Sequence, residues 1–263
     1  MTYLFASDLH GLGRPWMELM EQAQRAYPHA QIVLGGDYID GYLETFGTLT
    51  YLQSLVRNQH ATLLWGNHED LLYNFVTTDD EHWLATGGEA TAYSLVGLTI
   101  NRDQTRHRLA QHPLYRWLKR YRNRLAYQTA HLTFVHAGIR PDGQPTARQY
   151  QLWARQEYWY GDDPRYQTMA CFAPNQTGRT IVTGHTPTAL IKGVVEAKPT
   201  PPNQPLIIGY HDATVTDCPV LKVQYQGEPA RYFTDGGITP HWPDHRGNIV
   251  AFADNGRLLQ VFH

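Results

Sequence analysis

Five short apolar runs, each ending in a polar cluster, constrain the fold of this chain more than anything else in its sequence. Tyr3-Leu4-Phe5-Ala6 leads into Ser7-Asp8-Leu9-His10, Ile32-Val33-Leu34 into Gly35-Gly36-Asp37, and Thr62-Leu63-Leu64-Trp65 into Gly66-Asn67-His68-Glu69. Leu132-Thr133-Phe134-Val135 leads into His136-Ala137-Gly138, and Ile181-Val182-Thr183 into Gly184-His185-Thr186. Runs of this length read as buried strands. Helical spacing lies between them. Pro15 suits a helix N1 position, and Trp16, Met17, Met20, Ala23 and Tyr27 follow at helical intervals. Phe46, Leu49, Leu52, Leu55 and Val56 repeat the pattern, and Pro113 to Leu125 reads as one amphipathic helix with a basic face. Strand-helix alternation predicts an α/β layered fold. Further strands are predicted at Leu206-Ile207-Ile208, Val220 to Val223, Ile249 to Phe252 and Leu258 to Phe262. Joined by turns such as Asp244 to Gly247 and Asp254-Asn255-Gly256, they predict a second, largely antiparallel sheet packed on the first. The segment Lys198 to Pro205 reads as an exposed loop, because its prolines cannot pair in a central strand.

Composition narrows the setting. With 263 residues, 42% of them hydrophobic, the chain can build a sizeable core, and residues 1–263 are expected to form a single domain. The 22 basic and 24 acidic residues give a formal charge of −2, so neither a nucleic acid nor a membrane surface is expected as a partner. No apolar run is long enough to span a bilayer. Met1 to Asp8 lacks a basic start and a cleavage site, and Cys171 and Cys218 form no C-x-x-C pair. A cytoplasmic location is the expectation, with both cysteines buried and inert.

Each polar cluster alone is a weak signal, since Asp or His after a strand often caps or turns the chain. Together they place carboxylates, imidazoles and an amide at the carboxyl ends of strands, where open α/β sheets collect ligands. Mixed His, Asp and Asn donors suit Mn, Fe or Zn better than Ca or Mg. The other ten of the 14 histidines read as surface or turn residues. Gly35-Gly36 and Gly87-Gly88 are not phosphate-cradling loops, because no Gly-Lys-Ser/Thr follows.

The ordered series Asp8-x-His10, Gly36-Asp37-x-x-Asp40, Gly66-Asn67-His68-Glu69, His136-Ala137-Gly138 and Gly184-His185-Thr186-Pro187 resembles the calcineurin-like metallophosphoesterases. Within them it is similar to the bacterial phosphoprotein phosphatase branch. Trp83-Leu84 with Thr86-Gly87-Gly88-Glu89, Leu152-Trp153-Ala154-Arg155, and Phe233-Thr234-Asp235-Gly236-Gly237 extend the resemblance to residues 2 to 262. It implies a four-layer α/β (α+β) metallophosphoesterase fold, two mixed β-sheets packed as a sandwich and flanked by helices. It also implies two divalent metal ions, manganese first and iron or zinc as alternatives. Asp8 and His10 would hold one ion, Asp37 would bridge both, and Asn67, His136 and His185 would complete the second. A hydroxide shared by the ions would attack phosphorus. His68 would protonate the leaving alkoxide, with Asp40 orienting it, and Arg155 and Asn67 would bind substrate. The family commonly continues Asp40 with an arginine that grips phosphate, whereas this chain has Gly41.

The implied activity is phosphomonoester hydrolysis on phosphoserine or phosphothreonine in proteins. Dinucleoside tetraphosphate hydrolysis is a sister activity of the same site, and a metal-binding regulatory protein with little turnover is the third reading. Glu69 reads as structural, a carboxylate favouring a helix start. Trp153, Tyr158, Trp159 and Tyr160 suit either a substrate platform or core packing. The 47 residues between Pro187 and Asp235 exceed a minimal strand connection. Residues 192 to 232 are therefore expected to add either a hairpin-like cap over the site or a strand extension away from it.

Overall fold

The computed structural model describes residues 1–59, 61–98, 101–161, 172–191, 206–211, 218–241 and 244–263. Strands β1 (Thr2–Ala6), β2 (Gln31–Leu34) and β3 (Thr62–Leu63) are separated by helices α1 (Arg14–Ala26) and α2 (Thr45–Gln59). Then come α3 (Asn67–Thr78), α4 (Glu89–Val96), α5 (Arg102–Gln111) and α6 (Pro113–Leu118). Strands β4 (Ala126–Gln128) and β5 (Leu132–Val135) precede α7 (Arg148–Trp153), α8 (Gln156–Trp159) and β6 (Thr180–Thr183). The chain closes with β7 (Leu206–His211), β8 (Val220–Tyr225), β9 (Arg231–Phe233), β10 (Ile249–Ala253) and β11 (Leu258–Phe262).

These strands form a five-stranded sheet, β11-β10-β1-β2-β3, and a six-stranded sheet, β4-β5-β6-β9-β8-β7. Both are mixed: β1, β2 and β3 run parallel, as do β5, β6 and β9, while the remaining pairs are antiparallel. The C-terminal strands therefore do not make a sheet of their own. β10 and β11 extend the first sheet, with Thr2 opposite Ala253, while β7 to β9 extend the second. An alternating strand pattern specifies which face is buried and leaves the partner strand open, so local pattern could not assign these strands.

The alternation of side chains separates the layers. On β1, Leu4 and Ala6 join the core beneath the helices that include Trp16, Met20, Leu49 and Leu52. Tyr3 and Phe5 point the other way, into a core shared with Phe134, Val182 and Tyr232 of the second sheet. Phe5 and Phe134 stack there at 5.4 Å. The far face of the second sheet, Val135, Ile181, Leu221 and Val223, packs on Ala154, Tyr158, Trp159 and Tyr160. The order is helices, sheet, sheet, helices, which is the expected four-layer sandwich.

Two local expectations change and one open alternative is decided. Pro15 is the second residue of α1 rather than the first. The basic helix ends at Leu118, and a single 3₁₀ turn (Lys119–Tyr121) follows. The chain must turn there, because the Arg124 carbonyl accepts a hydrogen bond from Trp65 N at 2.9 Å beside the third polar cluster. Tyr158, Trp159 and Tyr160 are buried core residues, so core packing, not a substrate platform, accounts for them. Cys218 is buried, whereas Cys171 and the loop 198–205 lie outside the described residues. The described part of the 192–232 segment includes β7 and β8, a strand pair on the edge of the second sheet. Among the described residues, no helix is long and apolar enough to cross a membrane.

Candidate dinuclear metal centre

All five polar clusters meet at the carboxyl ends of β1, β2, β3, β5 and β6. The backbone reaches that geometry through unusual turns. Asp8, His10, Asp37, Asp40 and His185 have φ between 46° and 71°, and Asp79 is the other described non-glycine residue with positive φ. Left-handed backbone costs an L-residue energy and persists where surroundings over-determine it. The surroundings are explicit here. The Asp37 carbonyl accepts from Leu9 N at 2.7 Å and His10 N at 3.1 Å, and the Gly36 carbonyl accepts from Asp8 N at 2.9 Å. Gly36, with φ of 97°, has no room for a side chain, since a Cβ would lie 2.6 Å from Gly66 Cα.

Asp37 lies between two nests of donor atoms. His10 and His68 flank it on one side, His136 and His185 on the other, and within each group of three the donor atoms lie within 4.8 Å of one another. His136 Nδ1–H donates to the Gly35 carbonyl at 2.9 Å, which turns Nε2 inward. That Nε2 lies 2.8 Å from Asn67 Oδ1, 3.1 Å from His185 Nδ1 and 3.4 Å from Asp37 Oδ2. Asn67 Oδ1 and Asp37 Oδ2 can only accept hydrogen bonds, so a neutral His136 would set lone pair against lone pair. Such a cluster needs a cation at its centre. His10 follows the same plan, with Nδ1–H donating to the Ile39 carbonyl at 3.2 Å. A carbonyl on one ring nitrogen fixes the tautomer and leaves the other nitrogen as a ligand. Asp8 accepts from His185 N at 2.9 Å through Oδ2, while Asp8 Oδ1 and His185 Nε2 are buried without hydrogen-bond partners. Residues of this kind fit two divalent ions. Asp8 lies in neither three-residue nest, whereas His68, which sequence reasoning reserved for proton donation, lies in the first.

Electrostatics agree. Burial, aided by His68, pulls His10 down to about 4, and burial with His136 and Arg155 pushes His185 well below the usual histidine range. Both are neutral donors at pH 7. Burial also disfavours charge on His136, but the adjoining Asp37 carboxylate outweighs it and raises the group to about 9. Without metal, a proton on His136 therefore supplies the missing cation. Metal must displace that proton, so binding is expected to weaken about tenfold per pH unit below 9 and to release protons. Calorimetric titration in buffers of different ionisation enthalpy reads the released protons directly.

His68 sits half-buried at the mouth. Its Nδ1 is 2.8 Å from Asp40 Oδ2, and its ring meets His10 edge-on at 4.9 Å. The indole Nε1 of Trp83 donates to both oxygens of Asp40, at 2.9 and 3.1 Å. Asp40 N donates to Thr91 Oγ1 at 2.9 Å. Trp83 and Thr91 therefore position the carboxylate that orients His68. Sequence reasoning did not assign them this part, although Trp83 stood within a segment shared with the family.

Glu69 does more than favour a helix start. It is completely buried, and its oxygens accept from Asp37 N and Tyr38 N at 2.8 Å and from Gly66 N at 3.0 Å. Burial, reinforced by Asp37, raises it to about 7. It ties the second polar cluster to the third. Glu69→Gln must set an amide N–H against at least one backbone N–H, in either flip, and is expected to cost about 1–3 kcal/mol of stability. Urea unfolding of the two proteins measures the difference.

Arg155 is exposed at the other rim. Its guanidinium donates to Thr186 Oγ1 at 2.6 Å and reaches the His185 carbonyl at 3.5 Å. Trp153 packs edge-on against His185 at 6.4 Å.

Residues 1–189 match the family described as calcineurin-like phosphoesterase, and the chain belongs to that family. It is thereby a metal-dependent phosphatase, a phosphoester hydrolase. Solved structures similar to it include a metallophosphoesterase from Sphaerobacter thermophilus, 13% identical with a TM-score of 0.47, covering 100% of this chain and 87% of that one. The crystal structure of a putative diadenosine tetraphosphatase is 17% identical with a TM-score of 0.44, over 99% of this chain and 93% of that one. A protein serine/threonine phosphatase from Saccharomyces cerevisiae is 14% identical with a TM-score of 0.46, over 100% of this chain and 79% of that one. No curated protein sequence matches the chain significantly.

Proposed function

We propose that this enzyme is a dinuclear phosphomonoesterase of the serine/threonine protein phosphatase type, with manganese as the working metal. Asp8, His10, Asp37, Asn67, His136 and His185 are the ligand set. When bound, two divalent ions supply Lewis acidity toward phosphate and water activated near neutral pH. His68 holds a proton on the ring nitrogen facing the mouth, and Asp40 fixes its ring. Arg155, free of the ligand set and beside His185, offers a planar guanidinium to phosphate oxygens.

The observation that carries this reading is the His68–Asp40 pair at 2.8 Å. A serine or threonine alkoxide is a poor leaving group and needs a proton, whereas the leaving phosphate of an anhydride needs one far less. The test compares kcat/KM of the manganese-loaded enzyme on a phosphoserine peptide and on diadenosine tetraphosphate. The peptide is expected to be preferred. A clear nucleotide preference would move the assignment to anhydride cleavage on the same centre.

Arg155→Ala is expected to raise KM for the phosphopeptide about tenfold, the worth of one charge-assisted hydrogen bond, with a smaller effect on kcat. Arg155→Lys should recover only part of the loss, because an ammonium cannot match two phosphate oxygens in one plane. Steady-state kinetics of the two variants check both statements.

A further inference from the structure

Asp37 divides the centre into two halves, and the rims of those halves differ in chemistry. The His136–His185 half carries the Arg155 guanidinium, 2.6 Å from Thr186 Oγ1. The His10–His68 half is bordered by Gly41 to Phe46. Tyr42 N donates to the His10 carbonyl at 2.9 Å, and Thr91 Oγ1 joins this segment to Asp40, lying 2.9 Å from Asp40 N and 3.3 Å from Thr45 Oγ1. Since His68 is the proton donor, this second rim faces the departing group.

Large apolar side chains reach solvent along this rim. Leu43 is 61% exposed and Phe46 51%. Tyr93, also 51% exposed, stands next to Ser94, whose Oγ accepts from Phe46 N at 2.9 Å. No lysine or arginine occurs between Asp37 and Val56, and Glu44 adds a negative charge. The nearby Arg14 guanidinium is turned to Glu18 at 2.8 Å. Gly41 has φ of 112°, and a Cβ there would touch His10 at 3.4 Å and Pro240 Cδ at 3.6 Å, so position 41 itself puts no side chain between His10 and Pro240. Single exposed apolar residues are ordinary, but Leu43 and Phe46 both follow Asp40, the partner of His68, within six residues.

We propose that Gly41 to Phe46 is the leaving-group subsite and takes a large apolar group flanking the phosphorylated oxygen, rather than an anionic one. The inference rests on the phosphomonoesterase reading above and names its substrate class: a phosphopeptide with leucine- or phenylalanine-sized neighbours. A leaving nucleoside polyphosphate would meet Glu44, and the stretch from Asp37 to Val56 offers it no lysine or arginine.

The test uses peptides in which phosphonomethylalanine, a non-hydrolysable isostere, replaces phosphoserine. One peptide flanks it with leucine and phenylalanine, the other with two serines. Calorimetry on the manganese-loaded enzyme is expected to show about tenfold tighter binding of the apolar peptide, the worth of removing roughly 55 Å² of apolar surface from water. In the Leu43→Ser/Phe46→Ser protein the two affinities should converge. Equal affinities in the unmodified enzyme, or an undiminished preference in the double variant, would overturn the subsite. Turnover of the matching phosphoserine peptides reads the parent assignment separately. Preferential binding without cleavage would sink the hydrolase reading on phosphopeptides and leave the subsite standing.

Discussion

Asp37→Asn is expected to give folded protein that retains less metal and turns over at least about 10³-fold more slowly. The position explains the size of the effect. Asp37 is 2% exposed and lies in both donor nests. Its Oδ1 accepts from His68 N at 3.0 Å, which leaves Oδ2 facing His136 at 3.4 Å and His68 Nε2 at 3.9 Å. Burial opposes its charge, yet His136 and His68 hold it well below the usual carboxylate range, so it is ionised when metal arrives. Asparagine keeps the shape and removes the charge that two cations would share. Metal-assisted stabilisation of the transition state is worth several kcal/mol, so losing even one ion costs about 10³-fold or more. Metal analysis after gel filtration, alongside kcat on an aryl phosphate, checks both parts. Full metal content with activity within tenfold of the unmodified enzyme would remove Asp37 from the bridging position.

Much of this centre was legible because its residues follow strands whose apolar runs are continuous. Asp8, Asp37, Asn67, His136 and His185 each come within five residues of such a run, and a parallel strand ends where its helix or turn begins. What escaped depends on contacts between distant segments. Trp83 reaches Asp40 across 43 positions, and nothing in its own neighbourhood marks an indole as a carboxylate donor. Glu69 sits at the third position of α3, where a carboxylate is common for purely helical reasons. Its second duty, holding Asp37 N and Tyr38 N, exists only in the folded chain. The sheet assignment of β10 likewise rests on pairing with β1, some 250 residues away, while its continuous apolar run Ile249-Val250-Ala251-Phe252 fits either sheet. Tyr158 to Tyr160 show the converse ambiguity. Clustered aromatics carry the same pattern in a core as at a binding surface, and only burial separates the two.

His68→Asn should leave the metal in place and slow hydrolysis by about 10²–10⁴-fold, but only where the leaving group needs a proton. His68 is one residue past Asn67 in α3, so the helix start aims both side chains at the centre from adjacent positions. Burial alone would strip the ring of its proton. The Asp37 charge and the hydrogen bond to Asp40 outweigh burial and raise the group to about 10, so the acid form prevails at pH 7. Asp40, itself raised by burial, is held by Trp83 and by His68, which keeps Nδ1 engaged and leaves Nε2–H for the substrate. A phosphoserine peptide releases a strongly basic alkoxide and should suffer the whole loss. Nitrophenyl phosphate releases a stable phenolate and should lose much less. The ratio of the two kcat values, unmodified over variant, is therefore the reading that matters, and metal content measured on the same sample separates acid loss from ligand loss. Equal slowing of both substrates with full metal would take His68 out of proton donation and place it with the phosphate-binding groups. If metal falls as well, His68 would instead share the nest it forms with His10 and Asp37.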